Sequence, residues 1–208
     1  MAMAIGRENA IRILGPERLW ILMQCVEASW EKFEQHVRPH YTLISLSAMA
    51  HMLHEGIKDE VRRRFVGVSG VIVHDGTLGK AKRFLLEVDH SLIIQFRKLT
   101  EDFHTANNPT ETSEAFDNQL RGCDELPNLP RLTVGYQLGQ YNTAIAGIWI
   151  AFVVGKEADW HLDLRSGEYS TEFEFPHRDG SAADDEAAEE ERRRRMLDQE
   201  AEEEEDSG

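Results

Sequence analysis

The tightest constraint on this chain lies in residues 83–97, RFLLEVDHSLIIQFR, where two apolar-rich segments flank the short polar stretch Asp89, His90, Ser91. Side chains alternate along a strand, so a slip of one residue turns every one of them to the other face. If Val88 meets Leu92 across a three-residue loop, Leu86 faces Ile94 and Phe84 faces Phe96, and six apolar side chains share one face. A two-residue loop would set Leu92 against Glu87 and scatter that set. The three-residue loop is therefore selected, and it leaves Arg83, Leu85, Glu87, Ile93, Gln95 and Arg97 on the other face. That face is half polar, which predicts a solvated or functional surface.

Helical periodicity precedes the hairpin. Gly15 and Pro16 read as the cap and first-turn proline of a helix that Pro39 closes, and Leu19, Met23, Val26, Trp30, Phe33 and Val37 form one stripe along it. The stripe is read as core, with dimerisation as the other option; the oligomeric state is left open. A second helix over residues 45–65 carries Leu46, Ala50, Leu53, Ile57 and Val61 one turn apart, with His51, His54, Lys58 and Arg62 on its flank. Alternation over 68–73 predicts a strand, and HDGTLGK a glycine-rich loop.

Beyond the hairpin, Asn107 to Thr110 read as a turn and cap before a short helix at 111–120, and LPNLPR as a linker. Strands are expected at 132–138, 145–154 and 159–164, with GKEA turning between the last two and a short edge strand at 172–175. Residues 145–154 are apolar on both faces, which places them inside the sheet. The sum is an α+β fold: two N-terminal helices packed on a mainly antiparallel sheet of five to six strands, with one inserted short helix. Residues 1–178 form one domain in this reading.

The remainder, 179–208, is an acidic tail, helical or disordered, with 14 acids against 4 arginines. It accounts for most of the net charge of −15 and leaves residues 1–178 with 24 acids against 19 bases. An acidic balance argues against direct nucleic-acid binding and against anionic membranes, both of which need clustered Lys and Arg. Cys25 and Cys123 stand far apart without metal or disulfide spacing. The N-terminus lacks the order of a signal peptide, and the longest apolar window, 144–154, is about half of the roughly 20 residues a membrane helix needs. The chain reads as soluble and cytoplasmic.

Three constellations could carry chemistry. His51, His54 and Glu55 give the order HxxHE, not the HExxH of zinc hydrolases, and no third ligand is identifiable, so no metal site is assigned. A helix with Glu55 or Glu60, a strand with Glu87 and a strand with Gln95 and Arg97 resemble the layout of PD-(D/E)xK nucleases, in which carboxylates hold Mg²⁺. Gln95 stands there in place of an acid, and Arg97 cannot serve as a base; the simpler reading is that Glu87 and Arg97 pair across the strands. Arg62, Arg63, Arg64, Arg97 and Lys98 would make a basic patch if the second helix packs beside the hairpin, although basic residues at a helix C-terminus also answer the helix dipole.

QFRKLTEDFHTANNPT, followed by LPRLTVGYQL, TAIAGIWIAF and WHLDL, resembles a family of small uncharacterised bacterial and phage proteins with an RFKKL-like strand exit and NxPT, GYxL and WxLDL motifs. The resemblance covers residues 50–164 and rests on Arg97, Lys98, Leu99, Asn108, Pro109, Thr110, Gly135, Tyr136, Trp160 and Asp163. It implies a place in mobile-element or toxin-antitoxin-like gene pairs, beside DNA-binding regulators. The first expectation is thus a non-enzymatic cytoplasmic interaction protein that binds a protein partner, a DNA-binding regulator among the candidates. Its binding residues would be Arg62, Arg97, Lys98, Asn108 and Thr110. It needs no cofactor. A divergent nuclease using Mg²⁺ and an inhibitor whose acidic tail mimics DNA are the alternatives.

Overall fold

A computed structural model describes residues 4–41, 44–78, 81–105, 111–119, 127–155 and 157–169. Residues Asn108, Thr110 and Cys123, the expected strand at 172–175 and the acidic tail lie outside them.

The first helix, α1, spans Arg7–Lys32 and is broken at Gly15, whose φ of 68° and ψ of 161° are not helical. Gly15 and Pro16 therefore do open a helix, but a further helical segment precedes them. The left-handed φ explains the glycine. The helix continues through a wider turn, Phe33–Val37, and a tight one, Arg38–His40. The second helix, α2, spans Leu46–Arg64, and Ser45 caps it by accepting from the Ala48 amide at 3.1 Å.

Six strands follow in sheet order identical to chain order: β1 Val71–Leu78, β2 Ala81–Val88, β3 Leu92–Lys98, β4 Arg131–Leu138, β5 Ile145–Val154 and β6 Glu157–Asp163. Neighbours are antiparallel except β3 and β4, which are parallel. Parallel neighbours need a crossover, and the short helix α3, Glu111–Asp117, sits in that connection. The fold is α+β, with a mixed, mostly antiparallel sheet.

The hairpin register is the one the apolar pattern selects, with Val88 opposite Leu92 and Leu86 opposite Ile94. Asp89 and His90 take positive φ in its loop, and Asp89 is clamped by Arg18, whose guanidinium also bonds the carbonyls of Ile13 and Ser69 at 3.0 and 2.8 Å. Three expectations need correction. Residues 74–78, read as part of a loop, belong to β1 and pair with β2, and residues 79–80 lie outside the described ones. The final strand starts at Glu157, so Glu157 and Ala158 are strand and not turn. The half-polar hairpin face is not a surface, because Leu85, Glu87, Ile93 and Gln95 are all buried, and Phe116 of α3 and Leu129 pack against Leu85 and Ile93.

The other face carries the main core. Leu19, Leu22, Cys25, Val26 and Phe33 of α1, and Met49, Leu53, Ile57 and Val61 of α2, are buried, as are Leu86, Ile94, Phe96, Leu132 and Val134 of the sheet. Leu46, expected in the stripe, is 53% exposed, and Met49 takes the buried place one turn on. α1 and α2 approach closely at Ser29 and Gly56: the Ser29 hydroxyl donates to the Leu53 carbonyl at 3.0 Å, and a β-carbon at position 56 would collide with that hydroxyl oxygen.

The close helix approach yields a prediction. Gly56→Ala should lower stability by about 1–3 kcal/mol through overpacking, although alanine is the better helix former by about 1 kcal/mol. Thermal or denaturant unfolding measures it. A variant at least as stable as the parent would show that the helices can part without cost.

Candidate functional site

The hairpin ladder stops early. β2 pairs with β3 only as far as Leu85 opposite Gln95, yet β2 continues on β1 to Ala81 and β3 continues on β4 to Lys98. The Phe84 and Phe96 rings still meet, with centroids 6.2 Å apart, but past them the sheet forks. The next pairs in register would be residue 83 with 97 and residue 82 with 98, arginine on arginine and lysine on lysine. Like charges directly opposite one another destabilise a ladder. Like charges would therefore oppose any extension of the ladder past the two phenylalanines.

A cleft of about 620 Å³ occupies the fork, under α2 on one side and α3 on the other. His54, Glu55, Lys58 and Arg62 reach it from α2, Asp75 from β1, Arg83 from β2, Gln95 and Arg97 from β3, and Ser113 and Phe116 from α3. A second cavity of about 450 Å³ adjoins it towards the carboxyl ends of β3 and β4 and shares His54 and Arg97. Lys98, Tyr136, His51 and Ser47 also line this smaller cavity.

Several of these cations already have partners. Lys58 bonds both oxygens of Glu55 at 2.9 and 3.0 Å, and this bond holds the Glu55 carboxyl below its ordinary range. Arg62 reaches Asp75 at 2.6 and 2.7 Å and Asp59 as well. Both Lys58 and Arg62 lie over the Phe84 ring, at 5.8 and 5.3 Å.

Arg97 is different. It is half-buried; among the described residues its one hydrogen bond is a long one, 3.4 Å, to Gln95, and it makes no ion pair. Burial lowers its affinity for the proton, nearby Asp117 raises it, and Arg83 lowers it again. Asp117 itself is pushed up by burial, against bonds from Thr105 at 3.4 Å and Gln95 at 3.3 Å and the field of Arg97. Gln95 also donates to the Thr133 hydroxyl at 2.9 Å, which ties this polar floor to β4.

The structure thus brings Glu55, Gln95, Arg97 and Arg62 to one cleft, with Lys98 in the adjoining cavity. Glu87 is not with them. Its two carboxylate oxygens accept from His74 at 2.9 Å and from His90; burial pushes its pKa up, and these two bonds outweigh that and lower it. The expected Glu87–Arg97 pair is not formed, because β1 supplies His74 on the near side of Glu87 while Arg97 turns into the fork. Arg63 and Arg64 leave the basic patch too. With Lys32 they bind Glu60, which is only 1% exposed, at 2.7–2.8 Å. Burial alone would raise the Glu60 carboxyl, but the three cations outweigh it and hold it at about 2.

Asp75, Arg83 and Asp117 were missed from sequence. Asp75 fell in a stretch read as loop. Arg83 and the fork were available from the hairpin arithmetic, carried one pair beyond Phe84 and Phe96. Asp117 joins the site only through the crossover. Among the described residues no three His, Cys, Asp or Glu side chains gather as a metal would require, and no helix is long and apolar enough to cross a membrane.

Two measurements test this electrostatic account. Arg83→Glu replaces repulsion with attraction across the fork, so the ladder should lengthen; amide hydrogen exchange at the open ends of β2 and β3 should slow and stability rise by about 0.5–1 kcal/mol. Unchanged exchange would assign the fork to the bulk of the two phenylalanines instead. The second concerns His54, whose pKa burial, Arg97 and Lys58 together lower from 6.5 to about 4. Between those values the unfolded chain binds the proton better, so stability present above pH 6.5 is lost as pH falls towards 4, by on the order of 3 kcal/mol in all. His54→Gln should remove that part of the acid slope in denaturant titrations; an unaltered slope would refute it.

No protein-family model, no curated protein and no solved structure matches this chain, so its function is argued from the site.

Proposed function

We propose that this chain is a non-enzymatic interaction protein and that the forked cleft is where a partner docks through an anionic group. Arg97 carries the reading. A guanidinium taken out of water without a counter-ion is costly, and a partner's anion would recover that cost while displacing little. The cleft's surroundings favour the same ligand: Lys58, Arg62, Arg83 and Arg97 face it against Glu55 and Asp75, a local positive balance in a chain of net charge −15. Drawing on the sequence resemblance, we place the protein in a mobile-element, defence or toxin-antitoxin-like pair in the cytoplasm, with a protein as partner and a DNA-binding regulator as one form of it.

The divergent-nuclease reading has less behind it. Its strongest metal ligand, Glu87, is occupied by two histidines away from the cleft, and Gln95 is committed to Thr133 and Asp117. The tail as DNA mimic rests on composition alone.

Co-expression with the product of an adjacent gene tests the proposal. A stoichiometric complex is expected, and Arg97→Glu should weaken it by at least about tenfold, since reversing a buried interfacial charge costs about 2–5 kcal/mol. A chain that runs alone, or a complex indifferent to Arg97→Glu and Lys58→Glu, would sink it. Plasmid DNA should stay intact with Mg²⁺ at high protein concentration, with or without Glu87→Ala.

A further inference from the structure

We propose that the smaller cavity is a phosphoryl-group site, and that its ligand is a phosphate monoester of about mononucleotide size whose organic part lies in the adjoining larger cleft. This rests on the reading of the cleft as an anion receptor and names the anion. Six polar side chains converge on the cavity from three elements: Ser47, His51 and His54 from α2, Arg97 and Lys98 from β3, and Tyr136 from β4. Among the described residues no carboxylate lines it, which sets it apart from the larger cleft with its Glu55 and Asp75.

Tyr136 is the independent pointer to a ligand. It is 2% exposed, and its hydroxyl has no hydrogen-bond partner among the described residues. The hydroxyl opens on the cavity and is not sealed in the core, so a nearly buried ring presents its O–H to whatever fills that space. Burial pushes the phenol well above its ordinary range, which keeps it protonated and able to donate. Lys98 is its direct neighbour across the parallel pair and has no ion pair among the described residues.

Position and shape favour phosphate over carboxylate. Leu46, Ser47, Ala50, His51 and His54 line the cavity, so the flank of the 19-residue α2 borders it, its first turn included. The strands beneath end there in parallel, a place where open sheets bind ligands beyond their carboxyl ends. Donors above, from the helix, and below, from two strands, suit the tetrahedral oxygens of a phosphate better than the two coplanar oxygens of a carboxylate. The larger cleft offers Phe84, Phe96 and Phe116 as apolar walls, and each cavity falls within the roughly 300–1,000 Å³ range of small-molecule sites.

Calorimetry on the full chain with defined probes decides the matter: a set of nucleoside 5′-monophosphates, the matching nucleosides, inorganic phosphate, and citrate as a carboxylate control. A monophosphate should bind, inorganic phosphate at least tenfold more weakly, and nucleosides and citrate not at all. Lys98→Met should weaken binding tenfold or more, and the nearly isosteric Tyr136→Phe three- to tenfold without loss of fold by circular dichroism. If inorganic phosphate binds alone and as tightly as any ester, the organic half of the proposal falls. Citrate binding in place of phosphates, or failure of every small anion, overturns the inference, whereas the anion-receptor reading falls only if the partner complex is absent or ignores Arg97→Glu and Lys58→Glu. Binding that ignores both substitutions places the ligand elsewhere and also overturns it.

Discussion

The early end of one hairpin ladder, with two phenylalanines and then like charges beyond its last pair, organises this molecule. Six apolar side chains draw β2 and β3 together, and the pairing runs from Val88 opposite Leu92 as far as Leu85 opposite Gln95. One step further the two phenylalanines meet only by their rings, and beyond them arginine would face arginine. Each strand keeps its other neighbour, β1 or β4, so the sheet survives while a wedge opens within it. The wedge determines the rest of the site: it admits solvent between two central strands, lets Arg97 lie between α2 and α3, and turns buried backbone into the walls of a cavity.

The helix above the wedge is held by a different arrangement of charge. A helix turns about 100° per residue, so neighbouring basic residues point different ways. Arg63 and Arg64 swing to the buried Glu60, where Lys32 joins them and locks the end of α1 to α2. Arg62 points to Asp75 at the cleft rim. One run of three arginines is thereby divided between a structural lock and the site. The lock is reinforced about one turn away, where Ser29 meets Gly56, so the second half of α2 is fixed to the end of α1. A site made of one helix laid over an open fork depends on that fixing, because His54, Lys58 and Arg62 have no other scaffold.

The α+β class, the hairpin register and its loop length were legible because each follows from a periodicity of two or of 3.6 acting on apolar residues. The Ile145–Val154 strand was legible for the same reason, its two apolar faces requiring cover on both sides. What escaped notice depended on partners distant in sequence. Glu87 reads as an exposed acid until β1 brings His74 beside it, and Glu60 reads as one surface charge among many until α1 brings Lys32. Burial of the half-polar hairpin face was invisible because α3 and Leu129 cover it, and they lie beyond the hairpin in the chain. The fork was within reach: the arithmetic that fixed the loop also names the two like-charge pairs, had it been continued past the apolar residues.

Those corrections change what the polar residues of the hairpin can be for. In an aligned, solvated face Glu87, Gln95 and Arg97 would act as a set; in the folded chain Glu87 is separated from the other two. Glu87 is bonded by His74 and His90 at the β1 side, whereas Gln95, bridging Thr133 and Asp117, shares the cleft with Arg97, the one cation of the three. Catalysis by paired carboxylates needs the acids together, whereas binding of an anion needs only cations that lack counter-ions and a cavity that keeps bulk water from screening them. Asp117 is near enough to favour the charge on Arg97 without forming an ion pair with it, and its own carboxyl is pushed towards neutrality by burial. A polar floor of that kind leaves the guanidinium charged and underpaired. On the proposed reading, that guanidinium is the group a partner's anion would meet in the cleft.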